Sequence, residues 1–552
     1  MWDKHISKMF FKNNKFSINQ LQKQWIHRNY KPNTNPNHFI SNNHVNNFKS
    51  LKNSENAKNN TFKRDFKLLN FEDTKQIYRS RSTFNLIQNI IYLKSCRIPL
   101  INRYGPILLE HTGLLLEKPT KYTYFKHFCG GEHLDDNLMK KVIYNSSMRD
   151  GFQCILDYSV EGTPPSNASS AHNVSELFVD NYDRNRVDSI SNVIKQSIIF
   201  SHEQNQIHKN HIKHIKDVKN QIVAPNRTSF AVVKITGICD VNVLQRVNEI
   251  LSYCQIKSRN NRKIYNALQK ELLPSFFVIE DYAQNRTPSF IFHDTNKPRP
   301  LSEVESERLL HTMNELDEMC VLNSNHNIPM LIDAEQLSFQ AAIDQFHMCM
   351  CLKHNKNNLQ QHQTPIIYNT YQLYLKDGLD RLKYDYEFAR KNNKSFACKL
   401  VRGAYMRTES QRCLELKTPY PVNDSIEQTH QMYDNGVKFI MDKISKTNDV
   451  ALVIASHNQS TIEQSCESIV HEYDFPRNSP KIQFAQLYGM GDSMSLVLSS
   501  NGFNISKYIP FGPLREVMPY LGRRILENGD MLNGTTSEIQ KMEKEIKRRF
   551  SK

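Results

Sequence analysis

At 552 residues and 39% hydrophobic, the chain has room for one large domain or several, and enough apolar side chains for a sizeable core. No run approaches the roughly 18 to 20 apolar residues needed to span a bilayer, which excludes an integral membrane protein and leaves a soluble or peripheral one. The net charge of +16 suggests nucleic acid until it is located: residues 1–100 hold 18 Lys+Arg against 5 Asp+Glu, leaving +3 for the rest. Charge confined to a polar arm argues against a nucleic-acid partner.

Residues 1–80 read as a disordered arm rich in Asn and Lys. Within it, MWDKHISKMFFKNNKFSINQLQKQW can form a basic amphipathic helix of the mitochondrial presequence type, although Asp3 and the excess of Lys over Arg depart from that pattern. Residues 81–150 show helical periodicity in STFNLIQNIIYLKS and LDDNLMKKVIYNSSM. From 151 onward, eight short β-rich apolar runs recur, each ending in polar or glycine residues: FQCILDYSVEG, SFAVVKITG, NIPMLIDAEQ, TPIIYNTYQ, SFACKLVRGAY, DVALVIASHN, KIQFAQLYGMG and KYIPFG. Helical segments separate them.

This alternation predicts an α/β protein with a parallel sheet, and eight doubly buried strands suit a closed (β/α)8 barrel over 151–552. A doubly wound open sheet is the alternative, disfavoured because no G-x-G-x-x-G follows the first strand. Polar insertions near 163–228 and 240–325 are expected to be helical excursions outside the barrel. The eleven cysteines form no CxxC pair and point to free thiols in a reducing compartment. HMCMCLKH, with Cys349 and Cys351 between His347 and His354, has poor zinc spacing, so no metal site is expected.

Barrel enzymes react at the carboxyl ends of their strands. In this chain those ends carry Asp157 and Glu161, Lys234, Asp333 and Glu335, Gln372, then Lys399 with Arg402 and Tyr405. Ser456, His457 and Asn458, Leu487 with Tyr488, and finally Tyr508 complete the series. Polar groups at nearly all eight ends describe a lined pocket. Beyond the last strand, Tyr520, Arg523, Arg524 and Glu527 share one helical face. Two adjacent arginines there call for an anion.

KLVRGAY, ASHNQST, QLYGMGD and KYIPFGPLREVMPYLGRRILENG closely resemble the proline dehydrogenase family, especially its eukaryotic mitochondrial members, over about residues 85–550. The resemblance implies a distorted (β/α)8 barrel with non-covalent FAD, oxidation of L-proline to Δ1-pyrroline-5-carboxylate, electron transfer to ubiquinone, and a mitochondrial enzyme on the matrix side in peripheral contact with the inner membrane. It implies that Arg523 and Arg524 grip the proline carboxylate with Lys234 as a third cation, and that Asp333 sits beside Lys234 near the amine. Glu161 would pair with the first helix arginine and close the site. Tyr405, Leu487, Tyr508 and Tyr520 would wall the ring, with Tyr508 favouring proline over 4-hydroxyproline because hydroxyproline-oxidising relatives carry serine there. For the flavin it implies Gln372 and Lys399 at the isoalloxazine, and backbone from Val401, Gly403 and Ala404 beside Arg402. Ser456, His457 and Asn458 would lie toward the ribityl and pyrophosphate side, and Glu527 near a cofactor hydroxyl. Competing readings are a 4-hydroxyproline dehydrogenase, a phosphate-binding barrel lyase or isomerase, and a non-catalytic scaffold using the basic arm.

Overall fold

The computed structural model describes residues 68–95, 98, 121–160, 182–216, 229–258, 261–279, 294–356, 364–530 and 532–551; side chains of 524–535 are outside that description. Two compact units emerge. One comprises 1–67 with 274–278, of which only the turn around Ser275–Phe277 is described. The other, 68–273 with 279–552, holds everything that follows.

Eight parallel strands close on themselves in chain order: β1 (Gln153–Tyr158), β2 (Phe230–Val233), β3 (Met330–Ile332), β4 (Ile367–Gln372), β5 (Phe396–Val401), β6 (Val450–Ala455), β7 (Ile482–Leu487) and β8 (Ile505–Phe511). Each of the eight apolar runs in the sequence supplies one strand. Closure rests on the β1–β8 ladder, where Ile155 faces Tyr508 and Asp157 faces Pro510.

Because side chains alternate along a strand, each strand contributes to two cores. Ile155, Val232, Leu331, Tyr368, Ala397, Val453 and Ala485 fill the barrel interior. Tyr371, Cys398, Leu400, Leu452, Ile454 and Phe484 point outward and pack with Leu382, Tyr433, Val437, Ile440 and Ile462 of the surrounding helices. Burial of each such aliphatic side chain contributes roughly 1.5–3 kcal/mol.

The crossovers use α1 (Arg184–Lys216), α2 (Val241–Ser258), α3 (Glu303–His326), α4 (Leu337–His354), α5 (Gly378–Lys391), α6 (Ile426–Ile444), α7 (Gln459–Glu467) and α8 (Asp492–Ser500). The expected excursions differ from the observed arrangement. The apolar stripe Val187, Ile190, Ile194 and Ile198 of α1 is buried, and α1 packs on β1 and β2 as the first crossover helix. Helix α2 packs on α4. Two glycines are fixed by the backbone. Gly403 (φ +146°), after β5, would drive a Cβ into the Tyr374 ring, and Gly512 (φ +138°), after β8, would bring one within 3.1 Å of Tyr158. Gly512 and Pro513 turn the chain into α9 (Leu514–Asp530).

The packed body also starts earlier than the expected arm boundary at 80. Leu69, Phe71, Ile77 and Tyr78 are buried. Asp73 caps the short helix Thr74–Ile77, and Arg549 of α10 (Leu532–Phe550) donates to the Tyr78 and Arg81 carbonyls. Residues 1–67 of the expected arm lie outside the described residues. The HMCMCLKH side chains are not gathered into one cluster. His354 binds Asp317 at 2.7 Å, His347 is fully buried, and burial pushes the Cys351 thiol up to about 12.

Candidate active site

Two residues beyond the apolar interior layer, the same inward rows turn polar: Ile155 is followed by Asp157, Val232 by Lys234, Leu331 by Asp333 and Ala397 by Lys399. All four are buried, between 1% and 8% exposed. Burial of this kind is tolerated only when charges are paired. Lys234 Nζ donates to Asp157 Oδ1 at 2.5 Å and to the Tyr508 hydroxyl at 3.3 Å. That hydroxyl donates to Asp333 Oδ2 at 2.7 Å, and Asp333 Oδ1 accepts from Lys399. The result is a chain, Asp157–Lys234–Tyr508–Asp333–Lys399, of two carboxylates and two ammoniums joined by one phenol. Burial, then the Asp157 and Asp333 carboxylates, push the Tyr508 hydroxyl well above its ordinary range, so it stays a donor at neutral pH.

Here an expectation changes. Asp333 takes Lys399 directly, while Asp157 holds Lys234 and Tyr508 links the two pairs. Lys234 at the end of β2 has a carboxylate on either side, Asp157 after β1 and Asp333 after β3, and Tyr508 joins the two pairs. The sequence places Asp157 at a strand end but attaches no role to it. Its signal is the two-residue step from Ile155.

Helix α9 roofs this mouth. Its Val517, Met518, Tyr520 and Leu521 pack with Phe125, Phe128 and Met490, and Leu487 and Tyr508 lean on the same cluster. Tyr508 also touches the interior core, so it links the α9 cluster to the barrel interior. Glu132 accepts the first N–H of the helix, from Leu514, at 3.4 Å. From this roof Arg523 reaches across to the β5 side, where its guanidinium lies 5.8 Å from the centre of the Tyr405 ring. Leu487, Tyr405 and Tyr508 are half-buried and Tyr520 is buried. The Arg524 and Glu527 side chains and all of Glu161 lie outside the described residues.

Between β4 and β7 the rim is more open. Gln372 Nε2 donates to the Glu335 carbonyl at 2.8 Å, which fixes its carboxamide. Val401 is half-buried, and Gly403 and Ala404 are exposed. Arg402 lies over the Tyr433 ring and donates to His430 Nδ1, Ser456 Oγ and Thr461 Oγ1 at 2.8–3.0 Å. Burial lowers its pKa from the usual guanidinium value. All three acceptors are uncharged, and among the described residues no carboxylate forms an ion pair with Arg402. Ser456 and Asn458 are already committed: Ser456 Oγ also accepts the Asn458 N–H, and Asn458 Oδ1 caps α7 through Thr461. His457 Nε2 accepts the Leu487 N–H at 3.1 Å, so in the neutral ring the proton is on Nδ1. This bond ties the β6 end to a wall of the mouth.

The donor set suits a large anionic cofactor. Lys399 stands beside Asp333 and the Tyr508 ring, Arg402 has no carboxylate ion pair among the described residues, and exposed residues 403–404 allow close approach. The flavin implied by the family resemblance is compatible with these residues.

The proline dehydrogenase family profile matches residues 146–537. A Dictyostelium discoideum protein named proline dehydrogenase 1, mitochondrial, is 32% identical over 488 residues, covering 87% of this chain and 75% of that one. The Arabidopsis thaliana protein of the same name is 30% identical over 491 residues, covering 87% of each. The Homo sapiens one is 26% identical over 548 residues, covering 87% of this chain and 90% of its own.

Proposed function

The chain belongs to the proline dehydrogenase family, and from that premise we propose that it oxidises L-proline to Δ1-pyrroline-5-carboxylate, the first step of proline catabolism, with FAD bound non-covalently. When bound, the flavin supplies the hydride acceptor at N5 and a path for electrons to ubiquinone. The protein's part is to bind, orient and desolvate the ring.

The observation that carries this reading is the packing of α9 on Tyr508, a member of the buried Lys234–Tyr508–Asp333 chain, with Arg523 of the same helix 5.8 Å from the Tyr405 ring. In this reading a small ring acid binds between Arg523 and that chain. Arg523, with Arg524 beside it in sequence, meets the carboxylate through charge-assisted bonds worth roughly 1.5–3 kcal/mol each, and Lys234 approaches from below. Asp333 would meet the amine. Tyr405, Leu487, Tyr508 and Tyr520 offer an apolar wall that excludes water. Lys399 would stand near the bound flavin, where a fixed cation would favour the reduced form. Gln372, Val401, Arg402, Gly403 and Ala404 hold the flavin along the β4–β5 rim. Ser456, His457 and Asn458 shape the β6 end, with Glu527 and Glu161 as further contacts. Tyr508 fills the space that a ring hydroxyl would need, which makes 4-hydroxyproline the poorer substrate.

The relatives are named mitochondrial, and the basic N-terminal sequence supports the same address for this chain. Among the described residues no helix is long and apolar enough to cross a membrane, and the inner-membrane contact in this reading is peripheral. The test is an absorbance spectrum of purified protein before and after anaerobic L-proline. A flavin spectrum that bleaches with proline is expected. Folded protein that has no flavin, or that leaves it oxidised, would overturn the proposal.

A further inference from the structure

We propose that the helix Thr83–Ser95 and the basic cavity beside it form the surface by which this protein docks on an anionic phospholipid bilayer. This rests on the peripheral membrane contact proposed above and assigns residues to it.

The helix is apolar on two faces. Leu86 and Leu93 are buried, and with Ile90 they join the core that holds Ile539 and Met542 of α10. That face is spent on folding. Phe84, Ile87 and Ile91 fall at i, i+3 and i+7, a separate stripe of the same helix. They are 69%, 41% and 58% exposed. An apolar stripe left in water beside a basic rim marks a surface made for an apolar partner. Phe84 also lines a cavity of about 340 Å³ that takes in Tyr488 and Gly489, just after β7. Five cations, Arg81, Lys126, Lys141, Arg149 and Lys507, line it against two carboxylates, Asp150 and Asp492, an excess of three. His127, lowered by burial to about 4, adds no charge there.

Arg81, Arg149 and Lys507 share the two acids. Lys126 and Lys141 are exposed, and neither makes a hydrogen bond or ion pair among the described residues. At a bilayer surface, apolar side chains enter the acyl boundary while Lys and Arg meet lipid phosphates. A soluble phosphate would use the cavity and leave the stripe in water. The stripe and the cavity meet at Phe84, and together they select a phosphate that is attached to acyl chains.

The test is sedimentation of the full chain with vesicles of phosphatidylcholine, alone or with about one-third phosphatidylglycerol, read as protein in the pellet. Wild type should bind the anionic vesicles at least about 10-fold more tightly than the neutral ones, and less tightly as salt rises. Lys126→Gln with Lys141→Gln should weaken that binding by about 10-fold or more, and Phe84→Ser with Ile91→Ser by a similar factor. All four side chains are exposed, so both variants should keep the wild-type circular dichroism and proline turnover with a soluble electron acceptor. Absent binding, equal binding to the two vesicles, or variants that bind as wild type does would each overturn the proposal; the last result would move the contact to the basic sequence before residue 68. A loss confined to the lysine pair, with inorganic phosphate competing, would reveal a soluble-anion site and overturn it too. Pelleting is read without turnover, so protein that binds vesicles but does not oxidise proline would refute the function and leave the docking surface standing.

Discussion

Asp492 offers the sharpest test of how the barrel is held together. It begins α8 and meets two buried cations, Lys507 Nζ at 3.0 Å and Arg81 at 3.3 Å. Burial alone would raise its carboxyl pKa, but the Lys507 ammonium and the Arg81 guanidinium outweigh burial and hold it well below the usual range. Asp492→Asn removes the charge and almost no volume. Arg81 keeps Asp150 at 2.7 Å. Among the described residues, Lys507, 1% exposed, then keeps no carboxylate partner, only the carbonyls of Met490 at 2.7 Å and Leu487 at 3.5 Å and the Phe152 ring at 5.7 Å. Breaking a buried pair from one side costs about 3–5 kcal/mol, mostly the stranded charge. That is a large share of the roughly 5–15 kcal/mol by which folded proteins are stable. Urea unfolding followed by circular dichroism should show the midpoint falling with an unchanged slope. Adding Lys507→Met should recover much of the loss, since the stranded ammonium is gone. A loss below about 1 kcal/mol in the single variant, or a double variant worse than the single, would refute this account.

The remaining predictions concern the mouth and one buried histidine. Arg523→Met should weaken proline binding by roughly 2–4 kcal/mol while flavin absorbance per protein stays constant; unchanged steady-state kinetics would remove Arg523 from the carboxylate site. Tyr508→Ser should shift specificity from proline toward its hydroxylated analogue, measured as the ratio of the two kcat/KM values, and a ratio that does not move would end the size argument. Burial lowers His347 to about 4, and neither of its ring nitrogens has a hydrogen-bond partner among the described residues. A histidine depressed in the folded state binds its proton first in the unfolded chain. Stability is therefore lost as pH falls from about 6.5 toward 4, by up to roughly 3 kcal/mol. His347→Leu should flatten that slope, read as urea midpoints at pH 5 and 7.5; an equal gain at both would argue against titration as the cause.

The strands are legible because a barrel strand is buried on both faces, so each apolar run stands out against polar helices. The mouth residues are legible for the same reason: Lys234 or Asp333 directly after an apolar run has little place to go but the carboxyl end. Partnership is harder. Lys234 ends a strand whose two neighbours, β1 and β3, each carry a carboxylate, so the sequence does not say which of Asp157 and Asp333 it meets. Lys507 shows a different limit. Its neighbour Tyr508 faces inward, so alternation turns Lys507 outward, and nothing local reveals that Asp492 and Arg81 meet it there. The insertions read as excursions because polar composition hides the buried stripe of α1.

Helix α10 has a consequence for how the chain is made. Its Glu538 accepts from Tyr78 and Ser493, its Glu545 accepts from Thr74, and Arg549 seizes the carbonyls of Tyr78 and Arg81. These clasps come after every strand in chain order, yet they secure the first described helix. During translation, then, the opening segment gains these bonds only after all eight strands are made. A chain stopped before residue 538 would hold that segment through the Arg81 pairs with Asp150 and Asp492 but without the α10 bonds, leaving it more open to chaperones.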